Sequence, residues 1–490
     1  MSNILAGHEI QILPYDIHPT ELVIVRRINE HVKVHFTAIV PEGQKDKYIQ
    51  MTDIQSKIEI NHNGKSSSTQ LFKGIVTNIE VKSFRDVYYL EVEAVSYSFN
   101  LDIKLIRRSF QDKDMAYTDL IRKVIKDYSG ADFIDEAAKS SKLEKFIIQY
   151  DETDWEFLIR MASHFNTGLV PDPISDKPKF WFGVPEGKGN SLDEFNFSVS
   201  KKIRDFRYSS DNFIEGIDDK DFIYYKVETD KILNIGDSVS FQNKTLYVYE
   251  SIGRLLDGVF RHEYTLCPKK GLSQDLILNE KAVGCSVEGK VIEIKEDNIR
   301  VHLEIDKEQP KEKAYWFPYS TAYTTEGNTG WYCMPELDDY VKLYFPTNKE
   351  EEGVITDSIR RRTKGGDFIK DPDVKIFRTK FGKQILFNDK EIVISAKDDE
   401  IVIKLNEDNG IEIYSKKDIK IVADKGISME SKQTIQMSAA TGIGIKCKNS
   451  LIEMNGITTI KGDQVKTNWY GITPFIIVFI FVRIFDILLY

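Results

Sequence analysis

Cysteine is scarce in this 490-residue sequence, and the four present build nothing recognisable. Cys267, Cys285, Cys333 and Cys447 stand far apart, with no CxxC and no histidine nearby at metal spacing. Neither a zinc site nor a disulfide framework is readable, and reduced, buried thiols are expected. HExxH, GxSxG and P-loop patterns are missing too, so no catalytic residue, cofactor site or metal site is expected. Positive charge is in deficit: 67 basic residues against 77 acidic ones give a net charge of -10, which repels a phosphate backbone and excludes nucleic acid as an expected partner. The opening MSNILAGHEIQILPYDIH has no basic stretch followed by an apolar core. No secretory signal is therefore expected, and synthesis is expected to be cytoplasmic. Long apolar runs are absent until the other end, where NWYGITPFIIVFIFVRIFDILLY follows Thr467 with Arg483 and Asp486 as its two charges.

What is there is the composition of folded protein, with 41% apolar, 29% charged and 11% aromatic residues. At roughly 150 residues per domain, the length suggests about three domains. Glu21 to Val25, His31 to Phe36, Gly74 to Val81 and Val87 to Val95 alternate apolar and polar side chains, and Asn63-Gly64 is a hairpin signal. The period then changes. Tyr117, Leu120, Ile121, Val124, Ile125 and Tyr128 share one helical face, which Gly130 can close. Thr153 and Glu156 have capping-box spacing ahead of a second stripe, Trp155, Leu158, Ile159, Ala162 and Phe165. From Lys179 to Cys267 the two-residue period returns, in Asp221 to Val227, Ser238 to Phe241, Leu246 to Ser251 and Phe260 to Leu266. Residues 1–275 are thus expected to be mostly β with inserted helices, ending in a linker near Gly271 to Asn279. Over 280–362, short strands at Val283 to Ile294, Ile299 to Ile305, Tyr315 to Pro318, Gly330 to Pro335, Tyr340 to Phe345 and Gly353 to Ile359 predict a small closed β-barrel.

The most specific signal lies in 374–467. The pairs Ile411/Ile413, Ile419/Ile421, Ile427/Met429, Ile435/Met437 and Ile443/Ile445 recur at an interval of eight residues. Looser copies stand at Ile385/Phe387, Ile392/Ile394, Ile401/Ile403 and Ile452/Met454. Two apolar residues with one spacer point to the same side of a strand. Gly410, Asp418, Gly426, Thr434 and Gly442 precede the pairs and mostly turn the chain easily. A chain that turns every octad stacks strand on strand, as solenoid repeats do, and its apolar faces are buried only by neighbours. These ten residues are therefore expected to be the core of a stiff needle. One chain winding a triangular helix and three chains intertwining are both compatible with the period.

The order of parts resembles the VgrG-type spike proteins of contractile injection systems, related to the hub and needle proteins of contractile phage tails, over roughly 1–467. RSFQDKDMAYTDLIRKVIKDY (Arg108 to Tyr128) and QYDETDWEFLIRMASHFNTGLV (Gln149 to Val170) look like helical segments of the family's hub. Tyr315, Trp316 and Phe317, GWYCMPELDDYVKLYF (Gly330 to Phe345) and GVITDSIRR (Gly353 to Arg361) are similar to its OB-fold strands. The resemblance implies a mainly β fold: a twin β-barrel hub with inserted helices, an OB-fold barrel and a three-chain β-prism. It also implies a homotrimer that joins a tail-tube protein and baseplate proteins to a membrane-puncturing needle, which meets a tip protein or effector and a target-cell envelope. HLEIDKEQPKEK (His302 to Lys313) departs from the basic aromatic segment often found there, and Arg360 to Lys375 is too short for the lysozyme domain of some phage relatives.

Asp132/Glu136, Asp151/Asp154 and Asp338/Asp339 could serve as paired acids, but solvation and helix capping explain them better. His302 and Glu304 share a strand face without a third ligand. A single-chain β-helix enzyme acting on polysaccharide would stack carboxylates on an outer face, yet the spacers read Glu412, Lys420, Ser428, Gln436 and Gly444. A tail fibre or adhesin would need neither the helix-bearing region nor the small barrel. For the tail at 468–490 three readings stand: a membrane anchor, a plug on the rod, or an appended reading frame. Ile472 to Tyr490 would span about 28 Å as a helix, against a hydrocarbon core of about 30 Å, though Pro474, Arg483 and Asp486 oppose a comfortable span.

Overall fold

Period-two patterning becomes strand in most of the places where the first 270 residues carry it. In Glu21–Arg27 the side chains of Leu22, Ile24 and Arg26 turn inward, and in Lys33–Val40 those of Val34, Phe36, Ala38 and Val40 do. The computed structural model describes residues 5–64, 68–324, 329–361, 371–397, 400–448, 450–454, 456 and 463–464. It divides the chain into two units, Met1–Thr363 and Lys364–Tyr490. The hydrophobic tail lies outside the described residues.

In the first unit, a 13-stranded, mostly antiparallel sheet runs through both halves of the hub-like region. Its seam is the pairing of Glu21–Arg27 with Lys244–Leu256, so the two β-rich halves are continuous. Each half wraps its own core, one around Phe36, Phe72 and Val92, the other around Val227, Phe241 and Leu266. Between the halves in sequence comes the helical insertion. Helix Tyr117–Ile125 and helix Asp154–Ser163 pack Leu120, Ile121, Val124, Trp155, Leu158 and Met161 into a third core. Thr153 closes the expected capping box: its Oγ1 accepts from the Glu156 N–H at 3.1 Å, and the Glu156 carboxylate accepts from the Thr153 N–H at 3.0 Å. Helix Ile203–Asn212 lies in the stretch from Lys179 to Cys267 that was read as β, at a place where no particular strand was expected; Phe206 anchors it against Phe222, and the rest of its face is too polar to have announced it.

The small barrel has the strand order Phe317–Pro318, Asn298–Leu303, Ser286–Lys295, Tyr340–Tyr344, Val354–Ile359. A parallel bridge from Tyr319 to Ile355 brings its two ends together, and the Ser320 N–H donates to the Ile355 carbonyl at 2.8 Å. Inside sit Val291, Val301, Phe317, Val341, Leu343 and Ile355. Gly330–Trp331, expected as a barrel strand, instead pairs with Tyr323–Thr324 in a separate ribbon. Trp331 and Tyr332 are adjacent rather than alternating, so they cannot both face one core, and both are exposed.

The second unit has a five-stranded antiparallel meander, Lys375–Arg378, Gln384–Phe387, Glu391–Lys397, Ile401–Asn406 and Gly410–Ser415. The side chains of Asn388 and Asn406 accept backbone N–H groups two and three residues ahead, which makes two of its turns. Gly410 enters the last strand at φ 82°, a conformation that favours glycine. Ile443–Cys447 pairs with Ser450–Met454 as a hairpin.

Candidate assembly surface

Antiparallel register in the meander aligns the octads across strands. Phe377 faces Ile385, which faces Ile394, then Ile403, then Ile413. A second row on the same side runs Phe387, Ile392, Leu405, Ile411. In a sheet such rows pack side by side, so the isoleucines form one continuous apolar face. That face is open, with its isoleucines between 36% and 73% exposed, whereas Val402 and Ser395 on the reverse side are buried.

The ten residues expected to be needle core fall into three groups. Ile411 and Ile413 lie in the last strand of the meander, and Ile443 and Ile445 in the hairpin, where Ile445 faces Ile452. Ile419, Ile421, Ile427, Met429, Ile435 and Met437 lie between, in a stretch that carries no strand. Nine of the ten are at least half exposed, and Ile443 is partly buried. The expected interior is therefore not supplied by one chain. A single-chain triangular helix would have buried these pairs coil on coil; over 375–415 the chain folds back and forth instead. The flanking charges are ordinary surface pairs. Lys397 meets Glu400 at 2.8 Å, which holds the Glu400 carboxyl below its usual range and the lysine above its own.

Polar groups in the first unit build a joint. Arg160, on helix Asp154–Ser163, is 2% exposed and points at the small barrel. It donates to both oxygens of Glu152 at 2.8 and 2.7 Å, to the Ile148 carbonyl at 2.8 Å, and pairs with Glu350 at 2.9 Å. Asn279 donates to Glu350 at 2.5 Å and to Ile148 at 3.0 Å. Burial disfavours the Arg160 charge, but Glu350 and Glu152 more than offset it, and its pKa stays above the ordinary value. Burial also raises the Glu350 carboxyl, against the pull of Arg160. Strand Ile147–Glu152 carries Ile148 into the barrel core, joined there by Phe146, while Ile147 faces the helical core. Ser109 adds two bonds to Asp306 across the same joint, at 2.7 and 2.5 Å. Arg160 stands one turn after the exposed Glu156, off the apolar stripe of an amphipathic segment, and gave no sign of burial.

Asp154 is buried rather than solvated, bonded to Arg108, Gln149 and Tyr128, while Asp151 pairs with Arg107 at the surface. His302 bonds the Asp306 carbonyl and Glu304 meets Arg361, so the two do not converge. Among the described residues there is no group of three or more His, Cys, Asp or Glu side chains placed to hold a metal ion. Of the cysteines, Cys267 alone is buried and its thiol is pushed well up by desolvation; Cys285 and Cys333 are half-buried and Cys447 is exposed, against the expectation of four buried thiols.

Comparison with known proteins bears on the fold. The chain is similar to the E. coli c3393 protein, described as a component of the type VI secretion system with structural similarity to the T4 bacteriophage tail proteins gp27 and gp5. That likeness has a TM-score of 0.51 at 13% identity and covers 72% of this chain and 100% of that one. A chain of the Francisella PdpA-VgrG complex matches with a TM-score of 0.50 at 11% identity, over 81% of this chain and 76% of that one. The 43 kDa tail protein of prophage MuSo2 from Shewanella oneidensis is 12% identical, with a TM-score of 0.42 over 55% of this chain and 99% of that one. At such identities the first two show a shared fold, that of a VgrG-like, gp27/gp5-like β-rich hub. A family model described as the Alg8 N-terminal domain matches residues 55–172, less than half of the chain. That interval starts inside the first β core and stops inside the helical one, before Phe180 and Phe182, so it corresponds to no structural unit here. No curated protein sequence matches.

Proposed function

We propose that the chain is the structural hub and spike subunit of a contractile injection machine or phage-like tail, assembled as a homotrimer and without catalytic activity. The observation that carries this reading is the continuous isoleucine face that a single chain leaves open in its second unit, in a protein whose first unit has the VgrG-like hub fold. Three chains, each supplying one octad per level, would close those faces on one another. Side chains already about half covered would gain roughly 1 kcal/mol each on full burial. Summed over the ten core residues this is on the order of 10 kcal/mol per chain.

Support for the partners comes from what two proteins of similar fold are: a type VI secretion system component and a chain of a PdpA-VgrG complex. Three subunits with two similar β-rich halves each would present six modules to a six-fold tail tube, while the octads continue as a three-fold needle. Baseplate proteins would hold the hub, and a tip protein or effector would sit between needle and target-cell envelope. The subunit would be made in the cytoplasm and function in the assembled particle. Rigidity is the mechanical requirement, and the Arg160 joint would serve it by keeping the helical insertion and barrel in register under load.

Native mass spectrometry of the full chain tests the assembly. The expected species is a trimer, resistant to heat and detergent, and lost when Ile427 or Ile435 is replaced by Asp, since each level would then bury uncompensated charges. A monodisperse monomer, or a trimer indifferent to both substitutions, would sink the reading.

A further inference from the structure

A second site comes from the same strand alternation that builds the sheet. Leu22, Ile24 and Arg26 occupy successive inward positions of Glu21–Arg27, so a guanidinium is delivered where the pattern calls for an apolar side chain. Arg26 is 7% exposed. Its Nη2 donates to the Leu71 carbonyl at 2.8 Å and its Nη1 reaches Asn234 at 3.4 Å. Among the described residues no carboxylate lies within ion-pair distance of it. Asp172 is the nearby acid whose charge favours the guanidinium, but its carboxylate accepts from the Ile174 N–H. A buried arginine without a counter-ion is costly unless something completes it.

Arg26 lines a cavity of about 400 Å³ where three parts of the first unit meet. The first sheet half supplies Arg26 and Val32, the helical insertion Pro171 and Trp181, and the second half Pro185 and Ile235. The walls are pinned. A Cβ on Gly236 would lie 2.2 Å from the Pro185 carbonyl oxygen, and the Asp237 carboxylate is already occupied by the N–H groups of Lys188 and Asn234. Glu186, at the rim, is held outward by Lys269. Apolar walls around a few fixed polar groups, at this volume, are the make-up of a small-molecule pocket.

We propose that this cavity binds a small amphipathic carboxylate, its anionic group on the Arg26 guanidinium and its apolar body between Trp181, Val32 and Ile235. The site is independent of the assembly reading. By bridging three parts of the unit, a bound carboxylate would stabilise their arrangement in proportion to its occupancy.

Isothermal titration of the full-length protein with decanoate, and with 1-decanol as the uncharged control, tests the proposal. Decanoate is expected to bind with one site per chain, at least tenfold more tightly than the alcohol, and to raise the thermal midpoint. Arg26→Met should abolish the preference for the acid. Because that change leaves the Leu71 carbonyl unpaired, Lys188→Trp at the exposed rim is the second variant, expected to block binding while leaving the unliganded midpoint in place, since only the backbone N–H of Lys188 is used in the wall. Equal binding of acid and alcohol, decanoate binding unchanged in either variant, or no binding at millimolar concentration would overturn the proposal. So would a structure of the assembled protein with an acidic side chain of a neighbouring copy on Arg26.

Discussion

The two units answer the same pattern in opposite ways. In the first, Phe36, Val301 and Leu343 are reached by strands of their own chain, and burial is complete without help. In the second, equally regular isoleucines end on an open face, because two apolar positions per octad make a strip too thin to cover itself. Alternation thus decides which side of a strand is apolar; what covers that side depends on how much other chain is within reach. The first unit spends its long connections on bringing helices and distant strands to the core. The second has turns of a few residues and can place beside each strand only its sequence neighbours.

Breaking the comparison at its strongest point means placing a charge in each unit. Ile403→Asp is expected to abolish the trimer at micromolar concentration while shifting urea unfolding of the first unit by less than about 0.5 kcal/mol. Val301→Asp should do the reverse, unfolding the barrel whatever the protein concentration; native mass and urea titration separate the two. Next in size is Arg160→Met, which strands Glu152 and Glu350 in a dry joint and should cost about 3 to 5 kcal/mol. Acid comes third. His164 and His262 are held neutral by burial, with pKa values lowered to about 3, Lys145 adding to the first and Arg26 to the second. A folded pKa below the unfolded one means that stability is complete above about pH 6.5 and is lost as pH falls toward 3, by about 1.4 kcal/mol per pH unit for each histidine. All eight histidines precede residue 303, so the acid-driven loss from histidine belongs to the first unit, and His262→Phe should roughly halve its slope. The smallest effect is expected for Glu350→Gln, below about 1 kcal/mol at neutral pH, since Glu152 still balances Arg160. Because burial raises the Glu350 pKa, the wild type loses stability as pH rises above about 4.5, and the glutamine variant should lack that loss in a urea titration across pH.

Much of this was legible in residue order. The strands of the first unit, the Thr153 capping box and the apolar stripes of the two expected helices each show in the spacing of residues a few positions apart, which is what periodicity records. Helix Ile203–Asn212 escaped because one aromatic contact, Phe206 on Phe222, holds it. The Arg160 joint and the Arg26 cavity escaped for the opposite reason: both depend on partners more than a hundred residues away, Glu350 in one case and Asn234 in the other. The octad period was plain; the interior expected for its apolar pairs is one that a single chain does not provide.

Sequence alone therefore determined most strands and two of the helices of the first unit, which side of each is apolar, and the eight-residue period of the C-terminal repeat. Tertiary structure decided that the two β-rich halves share one sheet, that a buried arginine locks helix to barrel, and that one chain leaves the isoleucine ladder uncovered. The division has a physical cause. Local pattern is set by side-chain direction along the backbone, whereas burial is set by which distant surfaces the chain can bring together.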